Sequence, residues 1–264
     1  YDQYNSGHIK IAAASDIHFM DPSLLRNNAE NGAAFKTYMT LNASRAMQLY
    51  SVPILDQFVA EIKYQKPDIL LITGDLSKNG EKVSHEYVAG ALASIEEIGC
   101  KVYVVPGNND VSYPKSVGYD GNTSYPVPNV SPTEFATLYD DFGYKEAISR
   151  DPNSLSYVAE PFPGLRILAI DACKYNPYDG EGVVKPGTMQ WMSEQLAIAK
   201  QNGILVLPLM HHSLIDHMPN ESDVYPPGNK LENWSNVVNM LTAAEVKVVF
   251  TGHGHANDIA QYNV

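Results

Sequence analysis

Short apolar runs that end abruptly in polar clusters constrain this chain more than any other feature. Residues 9–14, 68–73, 101–105, 204–209 and 246–250 each have the length and composition of a strand. Between them, residues 52–64, 79–99, 131–142, 187–201 and 231–244 carry apolar side chains at helical spacing. The second of these helices is expected to open at Asn79 as N-cap and to close on Gly99, and Pro132 stands where a first helical turn tolerates proline. Residues 154–159 and 166–170 flank the turn sequence Pro-Phe-Pro-Gly and read as a hairpin. Residues 258–264 read as a last strand-like piece. Strands that alternate with helices require an α/β fold with helices covering the sheets, and the hairpin makes the sheet arrangement mixed.

A chain of 264 residues, 44% hydrophobic and 18% charged, excludes disorder and a coiled coil. No repeat, low-complexity tract or composition shift divides it, so one domain spanning residues 1–264 is expected. Loops at residues 19–50, 106–130, 172–186 and 212–230 are longer than a plain α/β connection needs and are expected to shape a site. Thirty acidic against 18 basic residues, a net charge of -12, disfavour long nucleic acids as partners. No apolar run approaches the ~18 residues of a membrane span. Cys100 and Cys173 are too few for a disulfide framework or a cysteine-rich zinc site, and their pairing is left open. A first residue other than Met, few Lys and Glu, and sequons at Asn42, Asn122, Asn220 and Asn233 lead us to expect an exported, extracytoplasmic protein. A further segment after Val264 is also an expectation.

Five of the strand ends carry the chemistry. They are followed by Asp16-Ile-His18, Gly74-Asp75, Gly107-Asn108-Asn109-Asp110, His211-His212 and Gly252-His253-Gly254-His255. Ligands of open α/β sheets bind beyond the carboxyl ends of strands, so strands sharing one direction bring these groups to one rim. Each group alone reads equally as a turn or a surface pair. Together they are oxygen and nitrogen donors without a thiolate, a set that suits hard or borderline divalent cations. Residues i and i+2 of an extended segment share a side, which lets Asp16 face one centre with His18, and His253 with His255. Seven donors exceed one tetrahedral ion and suit two, with one carboxylate shared.

These motifs, D-x-H, G-D, G-N, H and G-H-x-H in that order over residues 11–255, resemble those of the calcineurin-like metallophosphoesterase superfamily. The resemblance implies a mixed β-sandwich flanked by helices, with a binuclear metal site at the strand ends. It implies two divalent ions (Mn, Fe or Zn): one held by Asp16, His18 and His255, the other by Asn108, His211 and His253, with Asp75 bridging both. His211 is preferred as ligand because it comes first after its strand, and His212 is the substitute or a substrate contact. The implied activity is phosphoester hydrolysis through a hydroxide that bridges the two ions. The Gly74–Gly80 turn, the His211-His212 pair and the length are most similar to the branch acting on cyclic nucleotides and glycerophosphodiesters, with a small phosphoester as the substrate. A phosphomonoesterase and an impaired metal- and phosphate-binding protein are the alternatives.

The sequence departs from the family at two places. The family's third motif carries a histidine after the liganding asparagine, which protonates or positions the leaving oxygen. Here that catalytic position is Asn109, whose amide has no titrating proton near neutral pH, whether as a natural or an engineered feature. Lys78 stands where many relatives have Asp, which puts a support of the site in question. Asp110 reads equally as a loop-orienting acceptor or a turn residue. His8, His85, His217 and Asp171 read as ordinary polar residues, and Tyr113, Tyr119 and Tyr125 either stack on a base or sit in exposed loops.

Overall fold

The computed structural model describes residues 8–42, 47–217 and 230–262. Its strands are β1 Ile11–Ala14, β2 Leu25–Arg26, β3 Ile69–Ile72, β4 Lys101–Val104, β5 Val117–Asp120, β6 Thr123–Pro126, β7 Ser149–Arg150, β8 Tyr157–Phe162, β9 Leu165–Ile170, β10 Cys173–Tyr175, β11 Tyr178–Gly182 and β12 Leu205–Met210. Its helices are α1 Ala33–Leu41, α2 Ser51–Gln65, α3 Lys82–Glu96, α4 Pro132–Leu138, α5 Pro186–Gln201 and α6 Trp234–Ala243.

Two sheets form the frame. One is parallel, in the order β1-β3-β4, and the other is mixed, in the order β12-β9-β8-β7. Strand periodicity decides what each sheet covers. Tyr157, Ala159, Ile167 and Ala169 point into a core shared with β3, β4, α2 and α3. Their sequence neighbours Val158, Leu168 and Ile170 point the other way, onto Trp191, Met192 and Leu196 of α5 and Val237 and Leu241 of α6. The layers therefore run helix, sheet, sheet, helix, the mixed sandwich expected from the sequence. The Tyr157 hydroxyl donates to the Val104 carbonyl at 2.9 Å and ties the two sheets together.

Several expectations need correction. Residues 246–250 form no strand: only Phe250 reaches β12, through a bridge to Leu209, after Glu245 turns the chain at φ 63°. No strand forms over residues 258–262, and 263–264 lie outside the described residues. Three long loops hold regular structure. The first contains α1, which puts Phe35 and Tyr38 against Tyr119 of β5. The second contains the β5-β6 hairpin and the third the β10-β11 hairpin. Of the fourth, residues 218–229 lie outside the described residues, and the Asn220 sequon with them. The Asn233 amide is held by both the N–H (3.1 Å) and the carbonyl (2.8 Å) of Val184, which leaves that sequon no free side chain. Both cysteines are buried and free.

Helix ends follow local chemistry. Ser131 and Glu134 form a reciprocal capping box at the start of α4, with Pro132 in the first turn. α3 begins at Lys82 rather than next to Asn79, because Glu81 stays extended in a bridge to Asn129. Lys78 Nζ lies 2.7 Å from Glu81 Oε1, with both side chains 0% exposed, and it also faces the Tyr38 ring at 4.8 Å. A buried ion pair of this kind is costly to break from one side only. Lys78→Met should lower the unfolding free energy by about 3–5 kcal/mol in urea titrations, and the added change Glu81→Leu should recover most of it. Equal stability of the single variant and the parent chain would show that the pair holds nothing.

Candidate metal centre

The parallel strands deliver their donors to one rim. β1 leads into Asp16 and His18, β3 into Asp75, β4 into Asn108, and β12 into His211. The chain past Phe250 adds His253 and His255. Backbone bonds stitch these exits together: Asp16 N–H donates to Gly74 O (3.0 Å), His18 N–H to Asp75 O (2.9 Å) and Gly252 N–H to His211 O (2.8 Å). Five of the seven candidate ligands, Asp16, His18, Asp75, His253 and His255, have φ between 44° and 69°. Non-glycine residues pay conformational energy there, so the surroundings must hold them. Glycine makes the approach close enough at two points. A Cβ on Gly107 would lie 2.1 Å from Asp75 Oδ1, and one on Gly74 2.6 Å from Gly107 N.

Two donor groups result, Asp16, His18 and His255 in one and Asp75, His211 and His253 in the other. In the first, His18 Nε2 lies 3.0 Å from His255 Nε2 and 3.8 Å from Asp16 Oδ1, and His255 Nε2 lies 3.3 Å from Asp16 Oδ1. In the second, His211 Nε2 lies 3.0 Å from Asn108 Oδ1, 3.2 Å from His253 Nδ1 and 3.4 Å from Asp75 Oδ2. Any two ligands of a tetrahedral ion with bonds of ~2.1 Å stand about 3.4 Å apart, so both groups have the right span. Asp75 Oδ2 is also 3.5 Å from His18 Nε2, which makes this one oxygen common to both. Asp16 Oδ1 is buried with no hydrogen-bond partner, an orphan that a cation would satisfy. His211 Nδ1 faces the Thr73 carbonyl at 2.8 Å, the contact that orients an imidazole with Nε2 toward a metal.

Charge follows from this crowding. Burial pushes the Asp75 carboxyl upward, but the charges of His211 and His18 outweigh it and hold the group well below the usual range. Burial likewise opposes ionisation of Asp16, and the neighbouring imidazoles of His255, His211 and His18 together outweigh it and lower the carboxyl. Burial works against the His211 cation too, yet Asp75 raises this imidazole to about 9. Burial and the neighbouring His211 charge take His253 down to about 4.

The remaining expected residues are placed as follows. Asn109 donates to the shared carboxylate twice, from its backbone N–H to Asp75 Oδ1 and from Nδ2 to Asp75 Oδ2, both at 2.8 Å. His212 has 0% exposure and its Nε2 faces the Gly180 carbonyl at 3.0 Å, which puts it under the β10-β11 hairpin rather than in the opening. Asp110 is the loop-orienting acceptor: it takes the N–H groups of Leu76, Ser77 and Gly107 at 2.9–3.1 Å. His85 is buried against Ser77 and Asp110, and Asp171 accepts from Leu155 and Cys173. His8 is exposed, and His217 faces Asp258 at 3.3 Å. Tyr119 is buried and Tyr125 lies beneath Arg26, whereas Tyr113 packs edge-on against Tyr178. Tyr178 escaped the sequence analysis, since a tyrosine inside an unrecognised hairpin carries no motif.

The sequence of the calcineurin-like phosphoesterase family matches residues 9–257. The chain belongs to that family. A curated relative described as a probable cyclic nucleotide phosphodiesterase from Synechococcus sp. is 23% identical over 198 residues, 74% of this chain and 60% of the relative. The chain thus matches about three fifths of that relative's length. Among solved structures, a dimetal phosphatase from Danio rerio superposes with a TM-score of 0.61 at 13% identity, over 94% of this chain and 82% of the other. The purple acid phosphatase PPD1 from yellow lupin gives 0.52 at 13% identity, over 94% and 38%. These likenesses show the phosphoesterase fold.

If one carboxylate oxygen serves both donor groups, Asp75→Asn should abolish binding of two equivalents of Mn²⁺, and Asp16→Asn should remove only one. Metal content after gel filtration, measured by mass spectrometry, checks this. Two equivalents retained by Asp75→Asn would contradict the shared role.

Proposed function

We propose that this chain is a phosphoester hydrolase working at a site for two divalent cations, with small phosphodiesters, cyclic nucleotides among them, as its substrates. The observation that carries the reading is Asp75 Oδ2, which lies within 3.5 Å of an imidazole nitrogen from each donor group. Asp16, His18 and His255 would hold one cation and Asn108, His211 and His253 the other. Mn, Fe and Zn all accept this oxygen and nitrogen set. Two such ions supply Lewis acidity toward phosphoryl oxygens and make water a better nucleophile. The chain's own residues do the rest. Asp75 and Asp16 bring only two negative charges to the pair, so the loaded site stays positive and attracts a phosphate although the whole chain carries -12. The site opens on the side of His255, which is exposed, while Asp75, Asn108 and His211 are buried. The diester preference is supported by the cyanobacterial relative and by the resemblance in the Gly74–Gly80 turn.

Asn109 favours a second reading, an impaired protein that binds metal and phosphate without turning the ester over. Its amide is engaged with Asp75 and has no proton to lend. General acid catalysis contributes about 10²–10⁴-fold, mainly for poor leaving groups. The parent chain should therefore cleave bis(p-nitrophenyl) phosphate with Mn²⁺, faster than p-nitrophenyl phosphate, and act slowly on cyclic AMP. Asn109→His should raise cyclic AMP turnover by about 10²-fold or more and change the activated diester little. If neither chain hydrolyses any of the three esters with two metals bound, the binding-protein reading replaces the enzyme. A faster monoester than diester would point to a phosphomonoesterase.

A further inference from the structure

Two of the strand exits that carry candidate ligands are fastened by one buried carboxylate. Asp110 accepts from the N–H groups of Leu76 and Ser77, next to Asp75, and from Gly107 N–H, next to Asn108. A fourth donor, the Ser77 hydroxyl, reaches Asp110 Oδ1 at 3.2 Å. A hydroxyl has one proton to give, and its lone pairs need donors of their own when buried. Gly80 N–H supplies one to Ser77 Oγ at 2.9 Å. The other group facing Ser77 Oγ is His85 Nε2, at 3.0 Å.

His85 belongs to α3, outside every motif of the sequence, and is 0% exposed. Its Nε2 also lies 3.0 Å from the Asp110 carbonyl oxygen. A carbonyl only accepts, so Nε2 carries the proton and shares it between that carbonyl and Ser77 Oγ. Nδ1 is then the acceptor, and the Tyr139 hydroxyl faces it at 2.8 Å. The reverse tautomer would set the Nε2 lone pair against the Asp110 carbonyl and draw the Ser77 proton away from Asp110. Tyr139 therefore selects the tautomer. The His85 ring stands edge-on to Phe135 and to Tyr139, at centroid distances of 5.8 and 5.7 Å, so packing as well as hydrogen bonding fixes its plane.

We propose that His85, in the tautomer set by Tyr139, is a positioning residue for the metal centre. Its Nε2–H holds the Ser77 hydroxyl and the Asp110 carbonyl, and through them the spacing between Asp75 and Asn108. The proposal rests on those two residues being ligands of the ion that His211 and His253 also hold. Partners that orient a ligand are worth about 10- to 100-fold in metal affinity, and His85 acts one bond farther out, so the low end applies.

Mn²⁺ titration of the full chain by calorimetry, with nitrogen-15 spectra of the histidine-labelled, metal-free chain, tests it. His85→Phe keeps a ring and removes both nitrogens. It should weaken the ion shared by Asp75, Asn108, His211 and His253 by about 10-fold, and the other ion by less. His85→Gln brings an amide N–H to the place of Nε2 and should restore most of that affinity, a rescue that ring packing would not give. Ser77→Ala should weaken the same ion, and adding His85→Phe to it should cost less than His85→Phe costs alone. In the spectra the His85 signal, assigned by its loss in His85→Gln, should show a protonated Nε2 and a bare Nδ1, and Tyr139→Phe should mix the two tautomers. A bare Nε2 in the parent chain would overturn the proposal. So would Mn²⁺ binding by His85→Phe as tight as the parent's, or equal weakening by His85→Phe and His85→Gln. A parent chain that binds no Mn²⁺ would overturn the metal centre itself, an outcome distinct from the failure of His85.

Discussion

A carboxylate with 1% of its surface exposed is the constraint on which the rest of this structure depends. Asp75 sits at the end of a strand whose four residues are all buried, so it has no water to solvate its charge. Its oxygens are answered by the two bonds from Asn109 and by imidazoles on both sides, His18 at 3.5 Å and His211 at 3.4 Å. Those imidazoles come from different sheets. The demand for positive charge around one buried anion thereby joins the two halves of the sandwich at their common rim. Burial and mutual repulsion between crowded imidazoles are the cost, visible in His253, whose basicity falls first through burial and then beside the His211 cation. Cations with two charges each relieve both stresses at once, which is the physical reason that this cluster fits metals better than protons.

Holding such a cluster requires a backbone that strands alone do not supply. Extended chain would put residues i and i+2 on one face, but Asp16, His18, His253 and His255 reach their centre without being extended, as the chain turns at each of them. Left-handed φ angles at those residues accomplish the turn, and Asp110 holds the neighbouring exits by accepting three backbone N–H groups. Gly107 and Gly74 then let the exits from β3 and β4 approach to distances that no Cβ permits.

Much of this was legible in the sequence, and the parts that were not share a cause. The buried strands announced themselves because each is a continuous apolar run, and the donors did so because each motif sits directly at a strand end. α1 and the two hairpins stayed hidden within long loops. Their apolar residues are few and find partners far along the chain: Phe35 meets Tyr119, and Gly182 meets His212. Periodicity reports local burial, and contacts of that separation leave no local trace. Residues 246–250 show the opposite error. An apolar run with strand propensity pairs with β12 at one residue, because pairing depends on where the chain enters the sheet and not on composition alone. His212 shows the limit of motif reading from the other side: the motif-like histidine lies buried under the hairpin, with its Nε2 on the Gly180 carbonyl.

Asn109 meets the same buried carboxylate from the β4 exit. An amide donates to Asp75 Oδ2 at every pH, at 2.8 Å, and adds no charge to a cluster already crowded with imidazoles. The same property removes the proton that a poor leaving oxygen needs. Seen from Asp75, Asn109 supplies two uncharged donors to a buried carboxylate. Under the proposed function, leaving-group acidity then decides which esters such a site turns over.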